Sequence, residues 1–387
     1  VTGSAERGGR RVLIAAGGGG DPIGTTVVAN ALYPGRPAVM LSYAWERLVV
    51  DPVPGPRGPG DFTGLRQLTP RVPLFTPGTR PVAPAGSTLP RLSAELAPDI
   101  GLLDPYGGVP GLARQIREVV ERYGDGEVDV VDVGGDVLAR GDEPTLLSPL
   151  PDALVVAACA TAGVTTRVHV AGPGLDCEIP EEDLSPRLGD DRSTLTAEHC
   201  RAVSGVFEWH PSEASALLAA AARGLRGGCL VRDTGRPVPL TPTSASVFSL
   251  PLGTVLSRNR LAHALYARQC PTLRDAEDVA WRVCGFNEVQ RERDRAAALA
   301  GAGRDGMPGG GVRAALSALD TWAADAVARH PTARYATFRC AAEGLGLRGR
   351  DTVDFRTGLT RARPGLHAAP LLRLPASRPR TRGAVPS

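Results

Sequence analysis

Four consecutive glycines end an apolar run and open an apolar-periodic segment in VLIAAGGGGDPIGTTVVANAL, residues 12 to 32. Glycine loses more backbone freedom on folding than any other residue, so such a run marks a severe turn or a ligand lying close to the backbone. Residues 11 to 16 read as a buried strand and Thr25 to Leu32 as the first turns of a helix. Strand, tight loop and helix together open an α/β fold. In a parallel sheet of that kind, ligands sit beyond the carboxyl ends of the strands, where a glycine loop entering a helix offers N–H groups to an anion. Gly18, Gly19 and Gly20 are the expected contacts, although turn formation alone would also use them. No dinucleotide fingerprint is present, because Pro22 or Ile23 falls where GxGxxG needs its third glycine.

The phosphate-binding GxxxxGK[ST] fails for want of a lysine, and that absence is general: all 44 basic residues of this 387-residue chain are arginine. Schiff-base, phosphate-binding and general-base lysines are therefore excluded. Anions must be held by arginine, backbone N–H groups or a metal. The net charge is +3, and the arginines form no dense stripe before the tail RLPASRPRTRGAVPS, so nucleic acid is not an expected partner. No stretch reaches the roughly 18 apolar residues of a membrane span, and VTGSAERGGRR lacks the apolar core of a secretory signal. The expected location is cytoplasmic, without membrane contact. Seven cysteines without a CxxC pair are expected as reduced, mostly buried thiols.

Periodicity extends the α/β pattern. A second apolar segment spans 38 to 50, and further strands are expected at 100 to 103, 127 to 133 and in RVHVAG, with helices over 109 to 122, from about Pro151, and after His210. Residues 51 to 98 are proline-rich and expected to be irregular apart from a short helix at 89 to 96. The expected organisation is a Rossmann-like α/β domain over 11–300 with a mostly parallel sheet and flanking helices. A glycine-rich linker, a helical extension over 312–375 with one main helix, and a disordered basic tail over 376–387 follow it.

Asp21, Asp104, Asp132 and Asp136 each fall at or just after the end of an expected strand, so a parallel sheet would gather them at one crevice. Clustered carboxylates raise one another's pKa and serve as general bases, or hold a divalent cation; singly, aspartates also cap turns. Asp142 and Glu143 follow in the same loop as Asp136. In WERLVVDPVPGPR, Glu46, Arg47 and Arg57 supply a carboxylate and guanidinium forks suited to phosphate, sulfate or carboxylate, or else ordinary ion pairs. Ser148 lacks a GxSxG context and is a candidate contact rather than a nucleophile. The six histidines show no HExxH spacing; His210, at a helix entry, is the one to test.

The segments GGGGD, WERLVVDPVPGPR, LLDPYGG, VDVGGDVLARGDEPTLLSPLPDAL, GPGLDCE and WHPSEAS together resemble the family known as domain of unknown function 1152, over roughly residues 11 to 300. The resemblance implies a Rossmann-like fold and, for actinobacterial members, accessory enzymes of natural-product pathways. The chain is also similar to the aziridine-forming enzymes of azinomycin-type pathways, which close a ring as sulfate leaves. Such a displacement needs an anion cradle and a carboxylate base but no redox cofactor. The glycine loop with Arg47 or Arg57 would be the cradle, and Asp21, Asp132 or Asp136 the base, with Glu143 also a catalytic candidate. Glu46, Asp104 and Ser148 are expected as substrate contacts. The expected ligand is a sulfated or phosphorylated small molecule, with no resident metal or cofactor. A non-catalytic binding subunit serving a partner enzyme, or a metal-dependent hydrolase or transferase on a phosphorylated metabolite, are the alternatives.

Overall fold

The alternation of short, largely buried strands with helices produces a sheet covered on both faces. The computed structural model describes residues 9–123, 126–232, 236–301, 311–347 and 350–375. The main elements of the first unit are β1 (Arg11–Ala15), α1 (Asp21–Leu32), β2 (Ala38–Tyr43), β3 (Asp99–Leu103), α2 (Gly108–Tyr123), β4 (Glu127–Val133) and α3 (Leu150–Ala162). After them come β5 (Thr165–Ala171), α4 (Glu213–Ala222), β6 (Ser246–Pro251), α5 (Arg260–Arg268), α6 (Leu273–Cys284) and α7 (Glu288–Gly301). β5, β4, β1, β2 and β3 lie side by side in that order, all parallel. β6 pairs antiparallel with β5, and short strands extend both edges to nine. The α/β expectation holds.

Strand alternation sorts the core. Val12 and Ile14 of β1 join Val128, Val130, Val168 and Val170 beneath α2 and α3, whereas Leu13 and Ala15 join Ala38 and Met40 on the opposite face, beside Ala29 of α1. α2 needs only one apolar stripe: Val109, Leu112, Ile116 and Val119 are buried while its arginines face outward. α3, PDALVVAACATA after its leading leucine, is buried almost all round because it packs against the sheet, α2 and α5. Pro151 at its start and Gly163, left-handed at φ 67°, at its end delimit it.

Several expected boundaries move. α1 begins at Asp21 rather than Thr25, since Pro22 fits a first turn whose N–H groups have no partner anyway. Of the apolar segment 38 to 50 only Ala38–Tyr43 forms a strand, after which the chain turns into an irregular segment; between there and β3 lie four two-residue strands and a helix, Leu89–Glu95.

The second unit takes in residues 225–241 as well as 306–387, so the chain leaves the first unit at 224 and returns at 242. This differs from the linear boundary the sequence suggests. Among the described residues it holds a five-stranded sheet, from which Gly227–Leu230 and Ala333–Ala336 form the parallel pair, and three α-helices, Gly311–Arg329, Phe338–Gly344 and Arg350–Ala362, rather than one main helix. Leu319, Phe338, Phe355 and Leu359 make its core. The tail 376–387 and nearly all of the glycine-rich linker lie outside the described residues.

Ile116 is fully buried in the main core. Ile116→Ala should cost about 2–5 kcal/mol, with no loss for the exposed Arg114→Ala on the same helix; urea unfolding of both variants checks it.

Candidate active site

The strand order 5-4-1-2-3 reverses direction between β1 and β4, and the loops that leave those two strands open a crevice at their carboxyl ends. The glycine loop follows β1. Gly18 and Gly19 adopt φ of +75° and +50°, a left-handed turn that only glycine takes at no cost. A side chain on Gly20 would collide with Ser212 Oγ, and Ser215 Oγ donates to the Gly20 carbonyl at 2.9 Å. Gly17 N–H donates to Asp21 Oδ2 at 2.7 Å. Among the described residues the N–H groups of Gly18, Gly19 and Gly20 take no partner, and they stand at the positive end of α1.

DVGGD follows β4 and is built for close approach. A Cβ on Gly134 would overlap the Asp176 carboxyl, and one on Gly135 would strike Leu184. Asp132 Oδ2 accepts from Val137 N–H at 3.2 Å, and the charges of Asp132 and Asp136 repel one another. Asp152, at the start of α3, completes the group: Asp21, Asp132 and Asp152 each place a carboxylate oxygen within 4.8 Å of the others. Burial raises all of these acids, reinforced by mutual repulsion: Asp21 to about 8, Asp132 to about 6, and Asp136, Asp152 and Asp176 well above the usual carboxylate range. Protons or a cation must therefore neutralise part of the cluster.

A second row of acids stands beside it. Glu178 accepts from Leu147 and Ser148 N–H groups, both at 2.8 Å, and from Ser148 Oγ. Arg47, half exposed, donates through Nη2 to Ser148 Oγ at 2.9 Å and lies 3.7 Å from Glu178 Oε1. α7 adds Glu288, accepting from Leu150 N–H at 3.3 Å, and Glu292, accepting from Gly55 N–H at 2.7 Å and Trp45 Nε1. Burial raises both glutamates.

The structure thus gathers Gly18, Gly19, Gly20, Asp21, Asp132 and Asp136 at one crevice, with Arg47 and Ser148 bridged to it through Glu178. The other candidates are held elsewhere. Arg57 is buried against Asp51 at 3.0 Å and donates to the carbonyls of Val53, Pro54 and Gly55, so its fork braces its own loop. Glu46 accepts from Thr88 N–H and Oγ1, both at 2.6 Å. Glu143 pairs with Arg187 at 2.5 Å and accepts from Arg140 and Gly141 N–H groups. Asp104 accepts from Tyr106 N–H and lines a separate open groove of about 640 Å³ with Gln67, Arg71 and Gln115. His210 accepts from Ser212 N–H at 3.1 Å through Nδ1, and burial pushes it down to about 3, so it stays neutral with Nε2 unpartnered. Asp152, Glu288 and Glu292 carry no motif. For Asp152 the available signal was a lone carboxylate inside an otherwise apolar helix.

One comparison bears on identity. The family described as "Protein of unknown function (DUF1152)" matches residues 12–296, well over half of the chain. The chain belongs to the DUF1152 family. Its matched region begins in β1 and ends in α7, and so takes in every residue of the crevice described above. No curated protein and no solved structure matches the chain. No helix among the described residues is long and apolar enough to cross a membrane.

The two arginines should separate cleanly. Arg57→Ala strands the buried Asp51 carboxylate and should cost about 3–5 kcal/mol in urea unfolding. The half-exposed Arg47→Ala should change stability by no more than about 1 kcal/mol.

The raised acids fix a pH dependence for the metal-free protein. Their protons are held more tightly in the folded chain than in the unfolded one, so their contribution is complete below about pH 4 and is lost as pH rises through about 6 for Asp132 and about 8 for Asp21. Thermal unfolding in chelator should show Tm falling from pH 5 to 8.5, with a shallower fall in Asp152→Asn.

Proposed function

We propose that this protein is an enzyme acting on a small anionic molecule, sulfated or phosphorylated, and that it displaces or eliminates the anion within that molecule. The observation that carries this reading is the juxtaposition, at the sheet's switch point, of three unpartnered glycine N–H groups with buried carboxylates. Donors preset toward a departing oxyanion lower the barrier of such a reaction without reorganising during it. The amides of Gly18, Gly19 and Gly20 hold the leaving group at the α1 terminus, and the unused nitrogens of Arg47 meet it from the exposed side.

In the displacement the attacking nitrogen or oxygen forms its bond to carbon as the carbon–oxygen bond to sulfate or phosphate breaks. The proton of the nucleophile passes to an ionised carboxylate of the cluster formed by Asp21, Asp132 and Asp136. Closure of an aziridine ring with loss of sulfate is the specific case that the sequence resemblance suggests. Arg57 and Glu143 have no part in this mechanism, since their own loops engage them.

Sulfate and phosphate should each raise Tm of the purified protein, because both bind only the folded crevice. Arg47→Ala should weaken the response and Arg57→Lys, if folded, should keep it. An unchanged Tm at high sulfate and phosphate would remove the anion cradle.

A further inference from the structure

We propose that Asp21, Asp132 and Asp152 form a binding site for one divalent cation of the magnesium or manganese class. The three carboxylates come from three separate elements, the first residue of α1, the end of β4 and the start of α3, and their oxygens lie within 4.8 Å of one another. Neighbouring oxygens on one face of an octahedral magnesium shell stand roughly 3 Å apart, so inward rotation of the three carboxylates completes such a face. Carboxylate oxygens without nitrogen or sulfur select hard cations over zinc or copper.

Two of the ligands are already oriented. Gly17 N–H fixes Asp21 Oδ2 and Val137 N–H fixes Asp132 Oδ2, the arrangement by which a second shell aims ligands at a metal. The third is short of hydrogen bonds. Asp152 is 1% exposed and its Oδ1 takes no hydrogen bond, and the phenol of Tyr43, wholly buried and within the field of Asp152, is likewise unpartnered. Buried polar atoms are rarely left so, and an ion with its waters satisfies both. Arg47 acts on Asp21 through its charge but makes no ion pair with the triad, its Nη2 being held by Ser148 and Glu178.

The cation deepens the proposed function, and this part rests on that reading: an anion at Gly18–Gly20 sits beside Asp21, a repulsive contact that a bridging cation turns into an attractive one. Metal binding itself is independent of any substrate.

Titration of the full chain with Mn²⁺, followed by electron paramagnetic resonance and calorimetry, should give one site per chain with micromolar to low-millimolar affinity, displaced by Mg²⁺. Asp152→Asn should weaken it roughly tenfold or more, while Asp142→Asn, an exposed acid of the neighbouring loop, should leave it unchanged. Circular dichroism establishes that each variant is folded, and Asp132→Asn serves if Asp152→Asn is not. Several weak equivalent sites, or a single site indifferent to Asp152→Asn and Asp132→Asn, would overturn the proposal. Sulfate stabilisation that persists in chelator, with no Mn²⁺ site, would overturn the cation and leave the anion cradle standing. A Mn²⁺ site with no sulfate response would support the cation and count against the displacement reading.

Discussion

Crowding of carboxyl groups in a low-dielectric crevice is the constraint around which the surrounding structure is arranged. Five aspartates and a glutamate meet where the loops after β1, β4 and β5 converge with the start of α3, and Coulomb repulsion among them would disperse the loops if nothing opposed it. Backbone amides provide much of the opposition. Gly17 holds Asp21, Val137 holds Asp132, and Leu147 with Ser148 hold Glu178. Each such bond orients a carboxylate that the fold could otherwise not fix. The glycines belong to the same arrangement: Gly134 admits Asp176, and Gly18 and Gly19 turn the chain so that Gly17 reaches back to Asp21.

The half of this centre that lies at strand ends was legible in the chain. Asp21, Asp132 and Asp136 follow apolar strands whose parallel arrangement could be anticipated, and a parallel sheet brings such positions together by geometry alone. Asp152 was not legible, because it sits in a helix whose remaining residues are apolar, and nothing local distinguishes a ligand from a first-turn capping acid. Glu288 and Glu292 reach the site from a helix remote in sequence, which periodicity cannot place.

Arg47 and Arg57 show a different limit. Ten residues apart, they offer the same chemistry, and the distinction between them comes from what else is buried nearby. The loop DPVPGPR carries prolines without N–H groups, so its carbonyls at Val53, Pro54 and Gly55 have few donors of their own, and Arg57 satisfies all three. Arg47 stands where Ser148 and Glu178 use a single nitrogen of its fork. A similar displacement explains the second unit: residues 225–241 fall inside the stretch 11–300 expected to form one α/β domain, but Gly227–Leu230 pairs with Ala333–Ala336, a partner more than a hundred residues on.

Protons and a cation are competing answers to the same buried charge. A proton on Asp21 or Asp132 lowers the repulsion but also blocks an oxygen that a cation would use, and a cation in turn drives those protons off. The two states differ in what they offer a ligand. The protonated cluster presents hydrogen-bond donors and no net charge, whereas the metal-bound cluster presents a positive centre beside the glycine amides. The chain has no lysine to supply a movable positive charge, Arg57 braces its own loop and Arg187 is held by Glu143 and the Leu138 carbonyl, so beyond Arg47 the acidic wall becomes compatible with a sulfate or phosphate through one of these two states. Anion affinity should therefore follow the state of the carboxylates rather than the count of basic residues. The glycine loop supplies the geometry of binding, and the neutralisation of Asp21, Asp132 and Asp152 decides whether an anion can remain there.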